Sequence, residues 1–286
     1  MPGTMQNKVV VITGGTSGIG EVSAIRLAEQ GARIVLIARD RQRTAATLVK
    51  LHTANAAANH IAHYADLSGI ADMKRVAAEV AVAEPKIDVL INNAGAVFLS
   101  KQLNADGLEM TFATNHMAYY VVTNVLLPNL EATPGARIVS TASDAHKSAK
   151  LDLDDLQFAK RPFASFTAYG NSKLCNILFT RELAKRLGTG GPTANCLHPG
   201  FVGTRFGSNN ATNVFLRVLQ RTIMTFGINP EEGAKTIIHL ASSPDVATIS
   251  GKYFYKCKLD EPTAAAQSDR DAERLWTISR ELSGVG

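Results

Sequence analysis

The first residues able to do chemistry are Tyr169 and Lys173, in the stretch Tyr169-Gly170-Asn171-Ser172-Lys173. On a helix, positions i and i+4 share one face. A phenol alone titrates near 10 and is a poor base at neutral pH. An ammonium on the same face favours the phenolate and lowers that value, making Tyr169 a candidate general acid/base. Six tyrosines make a chance spacing of this kind common, so the pair carries weight only in company. Ser143, in the run Ile-Val-Ser-Thr-Ala-Ser that ends there, is that company: its hydroxyl is suited to bond a substrate oxygen.

A second group of residues suits a phosphate. Thr13-Gly14-Gly15-Thr16-Ser17-Gly18-Ile19-Gly20 joins a β-branched run, Lys-Val-Val-Val-Ile-Thr, to a helical stretch. Glycine permits a tight turn and close approach of the backbone to a pyrophosphate. The helix opening near Gly18 adds free N–H groups and the positive end of its dipole. The bland alternative is a strand–helix turn without a ligand. A nucleophile elbow is excluded, because Gly15-Thr16-Ser17-Gly18-Ile19 lacks the second glycine of that motif.

The elements that must position these groups alternate. Apolar runs at 8–13, 33–38, 60–65, 87–92, 137–141, 193–198 and 252–255 read as seven strands. Helical stretches at 18–30, 40–51, 69–83, 106–130, 166–187, 231–242 and 264–282 separate or follow them. Continuous Val/Ile runs fit strands buried on both faces. The expected fold is α/β: one Rossmann-type domain over residues 1–286, a doubly wound parallel seven-stranded sheet with helices on both faces. Ligands bind at the carboxyl ends of such strands, where the motifs fall.

Composition narrows the classes. Apolar residues make up 45% of the 286 and charged residues 19%, which allows a large core and argues against disorder. The net charge of +5 is scattered without a basic run, which argues against nucleic acid as a partner. Cys175, Cys196 and Cys257 form no metal spacing, and His60 and His63 would face opposite sides of a strand, so no metal is expected. Sparse cysteines, a polar stretch at 1–8 and no run near the roughly 20 apolar residues of a membrane helix lead to the expectation of a cytoplasmic protein without a membrane span.

The glycine spacing GxxxGxG, rather than GxGxxG, resembles the short-chain dehydrogenase/reductase family, and further motifs follow in that family's order. The resemblance implies a nicotinamide dinucleotide cofactor, whose oxidised ring adds a second charge favouring the phenolate. It places Gly14, Thr16, Ser17, Gly18, Ile19 and Gly20 at the phosphates, and Asp66 and Leu67 at the adenine. Asn93, Ala94 and Gly95, of Asn92-Asn93-Ala94-Gly95, would line the cofactor wall, and Pro199, Gly200, Val202 and Thr204 the nicotinamide carboxamide. Asn115 resembles the asparagine that holds a water near the lysine. Lys173 would hold the nicotinamide ribose as well as tune Tyr169. The serine pair usual after the fifth strand is here Ala142-Ser143, with Ser143 the reactive position by register and Ser140 the fallback. At the position that selects the cofactor stands Ala38, followed by Arg39, which suits the 2′-phosphate of NADP(H). Arg41, Arg43 and Ser17 are candidates for further contacts, and Asp40, one place on, is the competing NAD acid. His198 reads as structural, while His116 and His146 are candidates to line the pocket.

The stretch 169–179, then His198-Pro199-Gly200, then Leu275-Trp276, resembles the retinol dehydrogenase-like branch, related to protochlorophyllide reductases. That implies hydride transfer between the cofactor and an apolar aldehyde, ketone, retinoid or steroid. Inserts near 147–167 and 205–228 are rich in Leu and Phe and read either as helices packed on the core or as an apolar lid. Alternatives are reduction of a conjugated C=C bond and a non-catalytic dinucleotide-binding regulatory protein. The family resemblance also implies a homodimer or homotetramer through the helices holding Asn115 and Tyr169, which the inserts would obstruct.

Overall fold

The computed structural model describes residues 4–200 and 229–286. One sheet runs through them in the order β3-β2-β1-β4-β5-β6-β7-β8. β1 (Val9–Thr13), β2 (Arg33–Ala38), β3 (Ile61–Tyr64), β4 (Val89–Asn92), β5 (Arg137–Thr141), β6 (Thr193–Leu197) and β7 (Tyr253–Tyr255) are parallel. The chain winds outward from β1 to β3 and then crosses back to β4. The loops leaving β1 and β4 therefore diverge, and the resulting crevice is where a doubly wound sheet takes a ligand.

Alternate residues of β1 feed two cores. Val11 packs with α3 (Ile70–Ala83), α5 (Ala118–Glu131), α6 (Ser165–Leu187) and α8 (Asp269–Ser283) on one face. Val10 and Ile12 pack with α1 (Gly18–Glu29) and α7 (Pro230–Ser242) on the other. α2 (Arg41–Ala54) follows β2 and lies against α1. α8 closes the outside of α5 and α6: Trp276 stacks on Phe179 with ring centroids 5.8 Å apart and meets Tyr120 edge-on at 5.0 Å.

Three expectations need correction. The sheet has eight strands, because β8 (Lys258–Asp260) pairs antiparallel with β7. The turn between them puts Lys256 and Cys257 at φ 47° and 61°, the left-handed geometry a two-residue hairpin demands. The helix expected from residue 106 begins at α4 (Met110–Phe112), where the Glu109 carboxylate accepts from the N–H groups of Thr111 and Phe112. It passes through a π-helical turn, Ala113–Met117, before continuing as α5. The final helix is a 3-10 turn, Ala264–Gln267, followed by α8, capped by Ser268.

The insert at 147–167 contains no long helix ahead of α6. It leaves the 3-10 turn Asp144–Ser148 and buries Leu156 and Phe158. The second insert, 205–228, lies outside the described residues. Among the described residues no helix is long and apolar enough to cross a membrane.

Candidate active site

The loops after β1 and β4 are stitched together by buried Thr13. Its hydroxyl oxygen accepts from the N–H groups of Asn93 and Ala94, each at 3.0 Å. Asn93 returns the tie by donating from Nδ2 to the Gly14 carbonyl at 3.1 Å. Two glycines are required by this closeness. A Cβ on Gly14, at φ 68°, would sit 2.8 Å from Ala94 Cα, and one on Gly20 only 2.4 Å from Asn93 Nδ2 and the Gly14 oxygen. Ser17 stands at the N-cap of α1 in extended conformation without a side-chain capping bond. Thr16, Ser17, Gly18 and Ile19 thus present the uncapped positive end of a 12-residue helix to the crevice. A cradle with its backbone donors open fits a dinucleotide pyrophosphate. Asn93 uses its side chain to shape that cradle.

At the far end of the crevice, Arg39 is 64% exposed and lies 3.6 Å from Asp66, so both residues project from adjacent strand ends. Asp40 is otherwise engaged. Its carboxylate caps α2 by accepting from Arg43 N–H and pairs with the Arg43 guanidinium at 2.9 Å. Arg41 stacks over the Tyr64 ring at 4.2 Å. Leu67 is buried in the core.

The reactive group lies between β5 and α6. Lys173 is 2% exposed and donates from Nζ to the Thr141 carbonyl at 2.9 Å, with Nζ 5.7 Å from the Tyr169 ring centroid. The Ser143 hydroxyl lies near enough to the Tyr169 phenol to favour its ionised form, and it accepts from Ala145 N–H at 3.2 Å. Gly95 closes the group from the β4 side: a Cβ there would stand 3.2 Å from Asn115 Oδ1 and 3.5 Å from Lys173 Nζ. Asn115 sits in the π-helical turn, a feature frequent at functional sites. Its side chain clasps both backbone groups of Ala96, at 2.8 and 2.9 Å, and donates to Ser172 Oγ at 3.0 Å.

Burial dominates the titration of the pair. It pushes the Tyr169 phenol up to about 12, with the Ser143 hydrogen bond working against it, and the Lys173 ammonium down to about 7. The expected lowering of the phenol by its lysine is outweighed by loss of water around both groups. At neutral pH Tyr169 is held as a proton donor.

Ser140 is buried inside β5, between Asn92 and Cys196 of the flanking strands, so Ser143 is the serine that faces the crevice. His116 does not line it: the ring is fully buried, bonded to Ser279 Oγ at 2.8 Å, and driven down to about 3 by burial. His198 is structural, stacked on Tyr255 at 4.0 Å and accepting from Gly200 N–H at 3.3 Å. Pro199 and Gly200 follow β6 at the ligand end of the sheet, and Gly200 takes φ 85°. Val202 and Thr204 lie outside the described residues. Thr13, Thr141 and the π-helical turn carry structural roles that no spacing announced.

Residues 8–214 match the family described as short chain dehydrogenase. Retinol dehydrogenase 12 of Mus musculus is 39% identical over 280 residues, covering 97% of this chain and 87% of that protein. Retinol dehydrogenase 14 of Homo sapiens is 38% identical over 298 residues, covering 99% and 88%. Among solved structures, a putative uncharacterized protein from Mycobacterium Paratuberculosis superposes with TM-score 0.79 at 28% identity, covering 100% of this chain and 96% of that one. A short chain dehydrogenase from Burkholderia cenocepacia, in complex with NADP, superposes with TM-score 0.68 at 26% identity, covering 88% and 96%. The chain belongs to the short-chain dehydrogenase family, as an oxidoreductase built to bind a nicotinamide dinucleotide. Within it, the chain is retinol dehydrogenase-like.

Proposed function

We propose that this protein interconverts an apolar aldehyde or ketone and its alcohol with NADP(H), using Tyr169 as general acid/base. The observation that carries the reading is the buried Lys173 Nζ 5.7 Å from the Tyr169 ring and bonded to the Thr141 carbonyl at the end of β5, with the Ser143 hydroxyl near the phenol. Phe166, 69% exposed one turn before Tyr169 on α6, supports an apolar substrate. Ser165 Oγ donates to the Phe98 carbonyl at 2.7 Å and holds the loop after β4 against that mouth.

When bound, the dinucleotide supplies the hydride that enters the carbonyl carbon. Ser143 donates to the carbonyl oxygen and polarises it. Tyr169 passes its phenolic proton to that oxygen as charge develops there. Lys173 stabilises the phenolate left behind, which recovers its proton from solvent. One hydride and one proton enter, and the alcohol leaves. In oxidation the same phenolate accepts the alcohol proton. The Arg39 guanidinium and the engagement of Asp40 by α2 support NADP(H) over NAD(H). The three free thiols support a reducing, cytoplasmic setting.

The test is cofactor oxidation with a panel of apolar aldehydes, ketones and enones, NADPH against NADH. Turnover with NADPH is the expected result; neither turnover nor NADPH binding would overturn the reading. Arg39→Ala is expected to raise KM for NADPH about 10- to 100-fold, the loss of one charge-assisted phosphate bond. KM for NADH should stay nearly unchanged. An equal rise for both cofactors would reduce Arg39 to a solvated loop charge.

A further inference from the structure

His146 fastens the turn that carries Ser143. The ring is 1% exposed, on the 3-10 turn Asp144–Ser148. Its Nδ1 lies 2.8 Å from the Ser143 carbonyl oxygen, which can only accept, so Nδ1 carries the ring proton. Its Nε2 faces the Thr263 N–H at 3.4 Å, a donor, so Nε2 is an acceptor. Both contacts select the neutral Nδ1–H tautomer. The Tyr253 ring of β7 packs against it edge-on, centroids 5.2 Å apart. One side chain thus joins the Ser143 turn to the segment between β8 and α8.

We propose that His146 is a positioning residue for the polarising hydroxyl: by clamping the Ser143 main-chain oxygen to the C-terminal segment at Thr263, it keeps Ser143 Oγ beside Tyr169. The proposal rests on the role given to Ser143 above. It also has a pH consequence. A second ring proton would set Nε2–H against Thr263 N–H and break the clamp. Asp144 and Lys147 face the ring from its own turn and pair with each other at 2.6 Å. Asp260 of β8 and His198 after β6 face it across the sheet edge, 3.8 Å from one another, with the Tyr253 phenol between strands. Burial and Lys147 lower the imidazole's affinity for a proton, while the Ser143 bond, Asp144 and Asp260 raise it, with burial ahead. With the folded value below the ordinary one, the clamp is intact above pH about 6.5 and is lost as pH falls through the folded value.

The test compares His146→Phe, His146→Asn, Ser143→Ala and the double variant Ser143→Ala/His146→Phe. The substrate is the best carbonyl from the NADPH panel, and thermal melting checks folding. His146→Phe is expected to lower kcat about 10- to 100-fold, as small misplacements of a reacting group do, with KM for NADPH within about twofold. His146→Asn, whose Nδ2 can stand where Nδ1 does but which cannot reach Thr263, should recover only part of kcat and flatten its decline on the acid side. In the Ser143→Ala background, His146→Phe should cost nothing further, since the histidine acts through the serine. Additive losses, or an unchanged kcat in His146→Phe, would overturn the proposal while leaving Ser143 in place. If Ser143→Ala alone left kcat intact, the reading of the serine itself would fall. Independently of turnover, nitrogen NMR showing His146 charged or Nε2-protonated at pH 7 would also overturn it.

Discussion

Tyr169→Phe is expected to lower kcat by about 10²- to 10⁴-fold, the range over which a positioned general acid works. The variant keeps the ring and its packing on α6 and removes only the buried hydroxyl near Ser143. NADPH affinity should hold, because the glycine cradle and Arg39 lie on the loops after β1 and β2. Folding should also hold, since the phenol is a buried polar group whose removal leaves no void of consequence. Turnover and NADPH fluorescence titration separate the two effects. A variant that binds NADPH and turns over like the wild type would move the proton to another donor.

Lys173→Met should divide function from stability. Activity is expected to fall about 10²-fold, because nothing then stabilises the phenolate. Stability is expected to rise. Lys173 is 2% exposed, its hydrogen bond goes to the Thr141 carbonyl, and burial depresses its value from 10.5 to about 7. In the unfolded chain the lysine binds its proton up to pH 10.5; in the folded chain it does so only below about 7. The folded state therefore loses stability as pH falls from 10.5 to about 7, and the cost is constant below that. Its size near neutrality is on the order of 4 kcal/mol, set against about 1 kcal/mol for the lost hydrogen bond. Without cofactor, the variant should melt several degrees above the wild type at pH 7. The gap should narrow by pH 9.5. A variant that melts lower at both pH values would mean that packing of the lysine stem and its Thr141 bond outweigh the buried charge.

Much of this was legible because single residue types answer single physical demands. The crevice needed glycines at 14 and 20, and only glycine tolerates the approach of Ala94 and Asn93. The Val/Ile runs could be little but buried parallel strands. β8 was not legible, because Lys258–Asp260 is exposed and its turn uses Lys256 and Cys257 where Asn-Gly would have announced a hairpin. The π-helical turn over Ala-Thr-Asn-His-Met has no pattern of its own, so Asn115 was placed near Lys173 without the clasp on Ala96. Helical spacing put Tyr169 and Lys173 on one face and said nothing of depth, which reverses the expected direction of the phenol's shift. The side chains of Leu67 and Asn93 turn into the fold, one into the core and the other onto the Gly14 carbonyl. Depth and side-chain direction are products of packing, which no spacing encodes.

The central claim is that a hydride passes from NADPH to a carbonyl carbon held at Ser143 and Tyr169. The most direct measurement is mass spectrometry of the product formed from an apolar enal and NADPH carrying deuterium on the transferred position of the nicotinamide. One deuterium on the carbinol carbon in wild type, accumulating about 10²- to 10⁴-fold more slowly with Tyr169→Phe, is the predicted result. Deuterium on the carbon β to the carbonyl would make the protein a C=C reductase. An unlabelled product, or the same labelling rate without the phenol, would contradict the claim.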